Sequence, residues 1–316
     1  MRKTTALIAA VAVAVLTSLT GCASAQGSND CVSSGAASSV VTATGKFGTA
    51  PKVTFPTPLY AHTTQKSQLI AGKGAPIQDG QPVAFYVTIL NGRTGDVLQS
   101  SDYTSTGFSL VTAGQSTIPA VTEALSCATV GSRIAIVGSA KQSHNGQADP
   151  SNDIDKNDSL VYVIDIRNAY LAKANGANQM RQKGLPDVIT TANGTPGVLI
   201  PPSPSTPPKS LQVGVLKQGT GAKTKTGDYL IVQYTGVGWS DKTVFDSTWK
   251  DHQASVLQLG SQSISTGLTK ALTGQRVGSQ VLVVVPPNDA AIPDGSGSVP
   301  AGETVVYVVD ILGIAQ

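Results

Sequence analysis

Tyr234, Phe245, Asp246, Leu268 and Tyr307 are the residues toward the end of this chain with the makings of a site. Phe245, Leu268 and Tyr307 offer apolar surface, and Asp246 adds one short carboxylate beside it. A slot built this way acts by holding a substrate, and needs no nucleophile, acid–base pair or cofactor. Each residue also has a plainer reading. Tyr234 and Tyr307 fall in alternating, strand-like stretches where packing is the commoner role, and Phe245-Asp246 reads equally as a strand start followed by a turn aspartate. Metal chemistry has no support: His62, His144 and His252 stand alone, and no Cys/His cluster has zinc-ligand spacing. No cofactor or metal is expected.

The N-terminus carries a second kind of chemistry. Met1-Arg2-Lys3 is cationic, and residues 6–16 are an apolar run of 11, short for a transmembrane helix and suited to an export signal. The run leads to Leu19-Thr20-Gly21-Cys22, which resembles the bacterial lipobox, so Cys22 is expected to carry a diacylglycerol anchor after removal of residues 1–21. An ordinary secreted protein cleaved nearby is the alternative. Residues 22–39 then read as a Ser/Ala-rich tether. Of three cysteines, Cys31 and Cys127 remain, an even pair suited to a disulfide outside the cytoplasm, with two free thiols as the alternative.

Composition narrows the partners. The 316 residues hold 22 Lys+Arg and 19 Asp+Glu, so net charge is +3, falling to about +1 once the leader is gone. No basic field is left for a phosphate backbone, and nucleic acid is excluded as a partner. A 40% apolar fraction rules out a wholly disordered chain.

The elements that must position the site come as a repeat. Gly74 matches Gly221, Gly80 matches Gly227, Ala124-Leu125 matches Ala271-Leu272, and Val130-Gly131-Ser132 matches Val277-Gly278-Ser279, all at an offset of 147. VYVIDI at 161–166 matches VYVVDI at 306–311 at an offset of 145. Two copies of one domain are therefore expected at 40–170 and 210–316, with residues 171–209 between them. In that stretch residues 168–181 have the look of a short helix, and 196–209, with six prolines, are expected to be an extended spacer without regular structure. In the second copy strands are expected at 211–216, 229–234, 257–259, 280–285 and 305–311, and a helix at 265–273. Five antiparallel strands curved around one short helix make each copy an α+β domain.

On these residues the chain resembles the FK506-binding-protein type of peptidyl-prolyl isomerase. The likeness rests on Ile231-Val-Gln-Tyr-Thr-Gly236, Val244-Phe-Asp-Ser247, Leu259-Gly260, Ala271-Leu272, Val277-Gly278 and Val299-Pro300 before the closing strand. It covers residues 210–316, and more faintly 53–169; the lipobox and cysteine-bearing first copy look like the membrane-anchored members of actinobacteria. The resemblance implies an apolar pocket between sheet and helix. Tyr234 would be a wall residue, Phe245 a floor aromatic, Asp246 the polar partner beside the bound carbonyl, and Ile264 an aliphatic wall. Ser265 stands where an isoleucine usually offers its backbone N–H; Leu268 replaces a floor tryptophan and Ala291 a tyrosine that reaches the ligand. Val299 and Tyr307 would complete the wall. The first copy has Val87, Leu98-Gln99, Val121 and Cys127 at the corresponding places, so it reads as a degenerate domain serving as spacer or docking platform. Its loop 141–158 reads as solvated, because it lacks the regular oxygen spacing of a calcium loop.

The expected function is thus an exported, lipid-anchored, monomeric prolyl isomerase acting on proline-containing client polypeptides. A non-catalytic chaperone or holdase using the same groove, and a purely structural surface lipoprotein, are the alternatives.

Overall fold

Alternating apolar residues and glycine-marked turns fold the described residues into two large antiparallel sheets, each wrapped on a short helix, and two separate hairpins. The computed structural model describes residues 31–115, 118–200, 206–295 and 299–315. The leader, Cys22, the first part of the tether and prolines 201, 202 and 204 lie outside the described residues.

The chain starts with α1 (Ala36–Ser39) and a hairpin of β1 (Thr42–Thr44) and β2 (Lys52–Thr54). The first sheet contains β3 (Gln65–Ile70), β4 (Pro82–Asn91), β5 (Val97–Ser100), β6 (Ser109–Thr112), β7 (Arg133–Gly138) and β8 (Leu160–Ala169). Helix α2 (Pro119–Leu125) precedes β7, and α3 (Ala140–His144) follows it. Then come β9 (Ala177–Asn178) and a second hairpin, β10 (Asp187–Thr190) with β11 (Pro196–Leu199). The second sheet contains β12 (Gln212–Gln218), β13 (Tyr229–Gly238), β14 (Val244–Ser247), β15 (Ser255–Gln258), β16 (Gln280–Val285) and β17 (Val305–Ala315), with α4 (Thr266–Leu272) and α5 (Pro287–Ala290) on either side of β16.

Strand order is β3-β7-β8-β4-β5 in the first sheet and β14-β13-β17-β16-β12-β9 in the second, with β6 and β15 also pairing β4 and β13. The starts of β4 and β13, of α2 and α4, and of β7 and β16 are each 147 residues apart. Each sheet has six strands of its own rather than five, because one long strand is flanked by two short ones in turn. Thus β14 pairs Thr235–Val237, while β15 pairs Tyr229–Val232 at the start of β13. The second sheet gains β9 as a further edge strand, from the region expected to be helical; residues 168–181 form no helix, and β8 runs on to Ala169.

The central strands are buried on both faces, which explains why β17 reads as a nearly unbroken apolar run. One face of the second sheet packs on α4 through Leu230, Val232, Leu272, Val283 and Val309. The other, with Trp239, Leu282, Val284, Val306 and Val308, is covered by Val188 and Val198 of the β10–β11 hairpin. Pro196 therefore begins a strand, contrary to the spacer expected from the proline count. Its strand pairs on one side with β10, an edge position where a missing N–H is tolerated.

The first copy uses the same device. Val41, Ala43, Val53 and Phe55 around the β1–β2 hairpin pack on the outer face of its sheet with Leu90, Ala135 and Val163. Each repeat thus extends N-terminally to include a covering hairpin. One aspartate in each closing strand helps fix the preceding segment. Asp165 accepts from Arg133 Nε at 2.5 Å and from Gly48 N at 2.6 Å, while Asp310 accepts from Gln280 Nε2 at 2.8 Å and Ala174 N at 2.7 Å. The end of the expected tether is also packed structure: Ala37 and Ser38 are buried, and Gln65 Oε1 accepts from both their amides. Cys31 is bonded to Cys127 across a separation of 96 residues, with the Cα atoms 5.8 Å apart. The loop 141–158 departs from the solvated reading as well. It starts in α3, buries Ile154, and holds Asp158 at 3.0 Å from Arg93 Nε.

Candidate functional site

The cleft lies in the second copy, where the curved face of the sheet leaves α4. It has a volume of about 260 Å³. β13 contributes Tyr234, β14 Asp246, β17 Tyr307 and Val309, the segment entering α4 Ile264 and Ser265, and α4 itself Leu268. Val256 and Leu257 of β15 form one side, and Ile292 and Val299, from the loop between β16 and β17, the other.

Strand register brings the polar and aromatic groups together. Gly236 sits opposite Asp246 on β14 and Tyr307 on β17. A Cβ at Gly236 would come within 2.6 Å of the Phe245 ring and 3.0 Å of the Tyr307 ring, so glycine is what admits both aromatics. Phe245 meets Tyr307 edge-on at 5.7 Å between ring centroids, and Tyr234 meets Tyr307 at 6.2 Å. Those are favourable edge-to-face distances. The Tyr234 hydroxyl donates to Asp246 Oδ2 at 2.6 Å. A second tie fixes Tyr234 by its backbone, which donates to Thr248 Oγ1 at 2.8 Å.

Ser265 caps α4: its extended backbone precedes the helix, and its Oγ accepts from Leu268 N at 3.2 Å. No acceptor for the Ser265 backbone N–H is found among the described residues. Burial pushes the Tyr234 and Tyr307 hydroxyls above the ordinary phenol range, and for Tyr234 the hydrogen bond to Asp246 adds to the effect. Both stay neutral donors throughout the physiological range. The arrangement is an apolar slot with hydroxyl, carboxylate and backbone N–H groups at its edge. Among the described residues no cluster of His, Cys, Asp and Glu is placed to hold a metal ion.

Of the nine side chains singled out in sequence, Tyr234, Asp246, Ile264, Ser265, Leu268, Val299 and Tyr307 line the cleft. Phe245 stands behind it, packed against Tyr307 and the core. Ala291 does not line it; the next residue, Ile292, does. α5 ends at Ala290 and the chain turns there, carrying the neighbouring side chain inward. Val309, absent from the sequence-derived set, is two residues from Tyr307 on one strand and so shares its face, a signal strand alternation carries. Ile292 had no comparable signal, being one apolar residue in a polar loop.

Among the described residues the first copy keeps the same framework, with Val87 and Gln99 at the places of Tyr234 and Asp246. Its Thr88–Ser100 hydroxyl pair, 3.3 Å apart, matches Thr235–Ser247 at 3.0 Å, and Val87 N donates to Ser101 Oγ as Tyr234 N does to Thr248. Val87, Leu98 and Val121 fill the corresponding space as packing residues of its core.

Residues 221–312 match the family model described as FKBP-type peptidyl-prolyl cis-trans isomerase. The chain is similar to a probable FK506-binding protein of Corynebacterium glutamicum, 30% identical over 37% of this chain and 96% of that protein. It is also similar to the outer membrane protein MIP of Legionella longbeachae, 32% identical over 44% of this chain and 56% of that one. Among solved structures it is similar to the three FKBP domains of wheat FKBP73, at 19% identity and a TM-score of 0.35 over 80% of this chain and 94% of that one.

Proposed function

This chain belongs to the FK506-binding-protein family of FKBP-type peptidyl-prolyl cis-trans isomerases, and we propose that its catalysis takes place in the cleft of the second copy, on X-Pro bonds of exported polypeptides. The observation that carries this reading is the convergence of Tyr234, Asp246 and Tyr307 on an apolar slot, where the first copy has Val87, Gln99 and Tyr162.

Turning an X-Pro bond means crossing a barrier of about 18–20 kcal/mol, because the planar amide must lose its resonance. A prolyl ring seated against Leu268, Ile264 and Tyr307 leaves its amide at the cleft edge, away from bulk water. Withdrawal from water removes hydration that favours the polar planar amide, so the twisted state gains relative to it. The Ser265 N–H is the group to hold the backbone of the bound segment. Asp246, held by Tyr234, faces the displaced carbonyl carbon and steadies its altered charge. No bond is made to the protein, and no proton is transferred.

The test uses the full chain on a proline-containing peptide, with cis–trans exchange followed by NMR. Phe245→Ala removes the ring that backs Tyr307 and should lower kcat/KM at least about tenfold, or 1.4 kcal/mol. Leu98→Ala, at the matching place in the first copy, should leave the rate within about twofold. Equal losses in both variants would place the activity elsewhere.

Export and anchoring form part of the same reading, supported by the lipobox-like Leu19-Thr20-Gly21-Cys22 and by the Cys31–Cys127 disulfide. Metabolic labelling with a palmitate analogue should mark the wild-type chain and not Cys22→Ser. Equal labelling of both would remove Cys22 as the anchor.

A further inference from the structure

The loop joining β14 to β15 is fastened to the first copy. Residues 248–254 connect β14, which supplies Asp246 to the cleft, with β15, which supplies Val256 and Leu257. Lys250, Asp251 and His252 in the middle of this loop are exposed. Its end is covered: Ala254 is 4% exposed and packs with Ala84, Tyr170, Ile231 and Leu312 in the apolar seam where the two copies meet. Beside it, Gln253 Nε2 donates to Leu110 O, on β6 of the first copy, at 2.7 Å. Both copies belong to one compact unit.

Hydrogen bonds lead from this fastening to the cleft. Gln253 N donates to Thr248 O at 3.2 Å, closing the loop on its first residue. Thr248 is bonded to Tyr234 twice over: Thr248 N donates to Tyr234 O at 3.1 Å, and Tyr234 N donates to Thr248 Oγ1 at 2.8 Å. The Tyr234 hydroxyl then donates to Asp246 Oδ2 at 2.6 Å. Leu110 of the first copy and the cleft carboxylate are thus the two ends of one hydrogen-bonded series that runs through Gln253, Thr248 and Tyr234. The loop also needs an outside hold. His252 has a φ of 54°, in the left-handed region that residues with side chains seldom adopt and that persists where the surroundings keep it. The seam contacts of the next two residues are such a hold.

We propose that the first copy braces the cleft of the second, with Gln253 as the positioning residue that fixes loop 248–254 and, through Thr248, the Tyr234–Asp246 pair. The proposal rests on the second cleft being the isomerase site. It gives the first copy, which has Val87 and Gln99 at the places of Tyr234 and Asp246, a part in turnover that needs no cleft of its own. Displacing a group at the reacting centre by about 1 Å costs on the order of a hundredfold in rate. A partial loosening of the Thr248 tie is therefore enough to be read in kinetics.

Gln253→Met in the full chain tests the brace, because it keeps the length of the side chain and removes the donor. On a proline-containing peptide followed by NMR exchange, kcat/KM should fall at least about threefold. In a Tyr234→Phe background, where the pair is already broken, the same change should cost less than about 1.5-fold, as coupled residues are not additive. The backbone amide resonances of Tyr234 and Asp246 should also move in Gln253→Met, a readout independent of activity. Wild-type kcat/KM in Gln253→Met, equal losses in both backgrounds, or unmoved Tyr234 and Asp246 resonances would each overturn the brace. Absence of catalysed exchange in the wild-type chain would overturn the cleft as the isomerase site, and the resonances would then decide the brace alone.

Discussion

Tyr234 and Asp246 work as a pair, and the pair sets what single substitutions should do. The Tyr234 hydroxyl orients the carboxylate at 2.6 Å and is itself kept protonated by burial. Tyr234→Phe removes one hydrogen bond and leaves the ring, so kcat/KM should fall about threefold to tenfold, the scale of one bond. The pH–rate profile should be flat from about pH 6 to 9 in both proteins, since neither buried tyrosine ionises there. The folded-state pKa values of Tyr234 and Tyr307 are raised, so their contribution to stability is complete below the unfolded value, about 10. It is lost as pH rises toward the folded values. Phenolate absorbance should therefore show these two tyrosines ionising after the exposed ones and together with loss of structure. Ionisation of every tyrosine near pH 10 in folded protein would contradict this account.

The strands and α4 position these side chains through register, and Gly236 is a point of close approach between them. Gly236→Ala drives a methyl into the Phe245 and Tyr307 rings. It should cost about 1–3 kcal/mol in urea denaturation, the usual range for overpacking, and activity should fall with it. Much of this element scale was legible in sequence. The β-branched run of β16, the apolar spacing of Leu268, Ala271 and Leu272, and the Gly274 stop define their elements without help. Three features were not legible. The edge of β13 is split between β15 at Tyr229–Val232 and β14 at Thr235–Val237, because which segments return to that edge is set by the loops and not by the residue pattern of β13. Residues 187–190 and 196–199 form a hairpin because the outer face of the second sheet needs a cover, a tertiary demand that overrides the prolines. Ile292, rather than Ala291, reaches the cleft because the turn after α5 sets the direction of its neighbours.

At the scale of the molecule the described residues form a duplicated unit, in which the second copy carries Tyr234 and Asp246 and the first has Val87 and Gln99 at those places. The repeat was legible from its constant offset, but its covering hairpin was not, because Thr42–Thr44 and Asp187–Thr190 share no motif. The Cys31–Cys127 disulfide ties the start of the described chain to the residues after α2, closing a long loop in the unfolded state. Its reduction should destabilise the protein by about 2–4 kcal/mol, read as a lower midpoint in urea with reductant, while the folded protein keeps its isomerase activity because the cleft lies in the other copy. Loss of activity without unfolding would give the first copy a direct part in catalysis. The central claim is that the second cleft turns X-Pro bonds without covalent chemistry, and one comparison tests it most directly. NMR exchange spectroscopy of a proline-containing peptide, with the full chain as wild type and as Asp246→Ala, should show catalysed exchange in the first and kcat/KM at least about tenfold lower in the second, with unchanged circular dichroism. Undiminished exchange in Asp246→Ala would contradict the account.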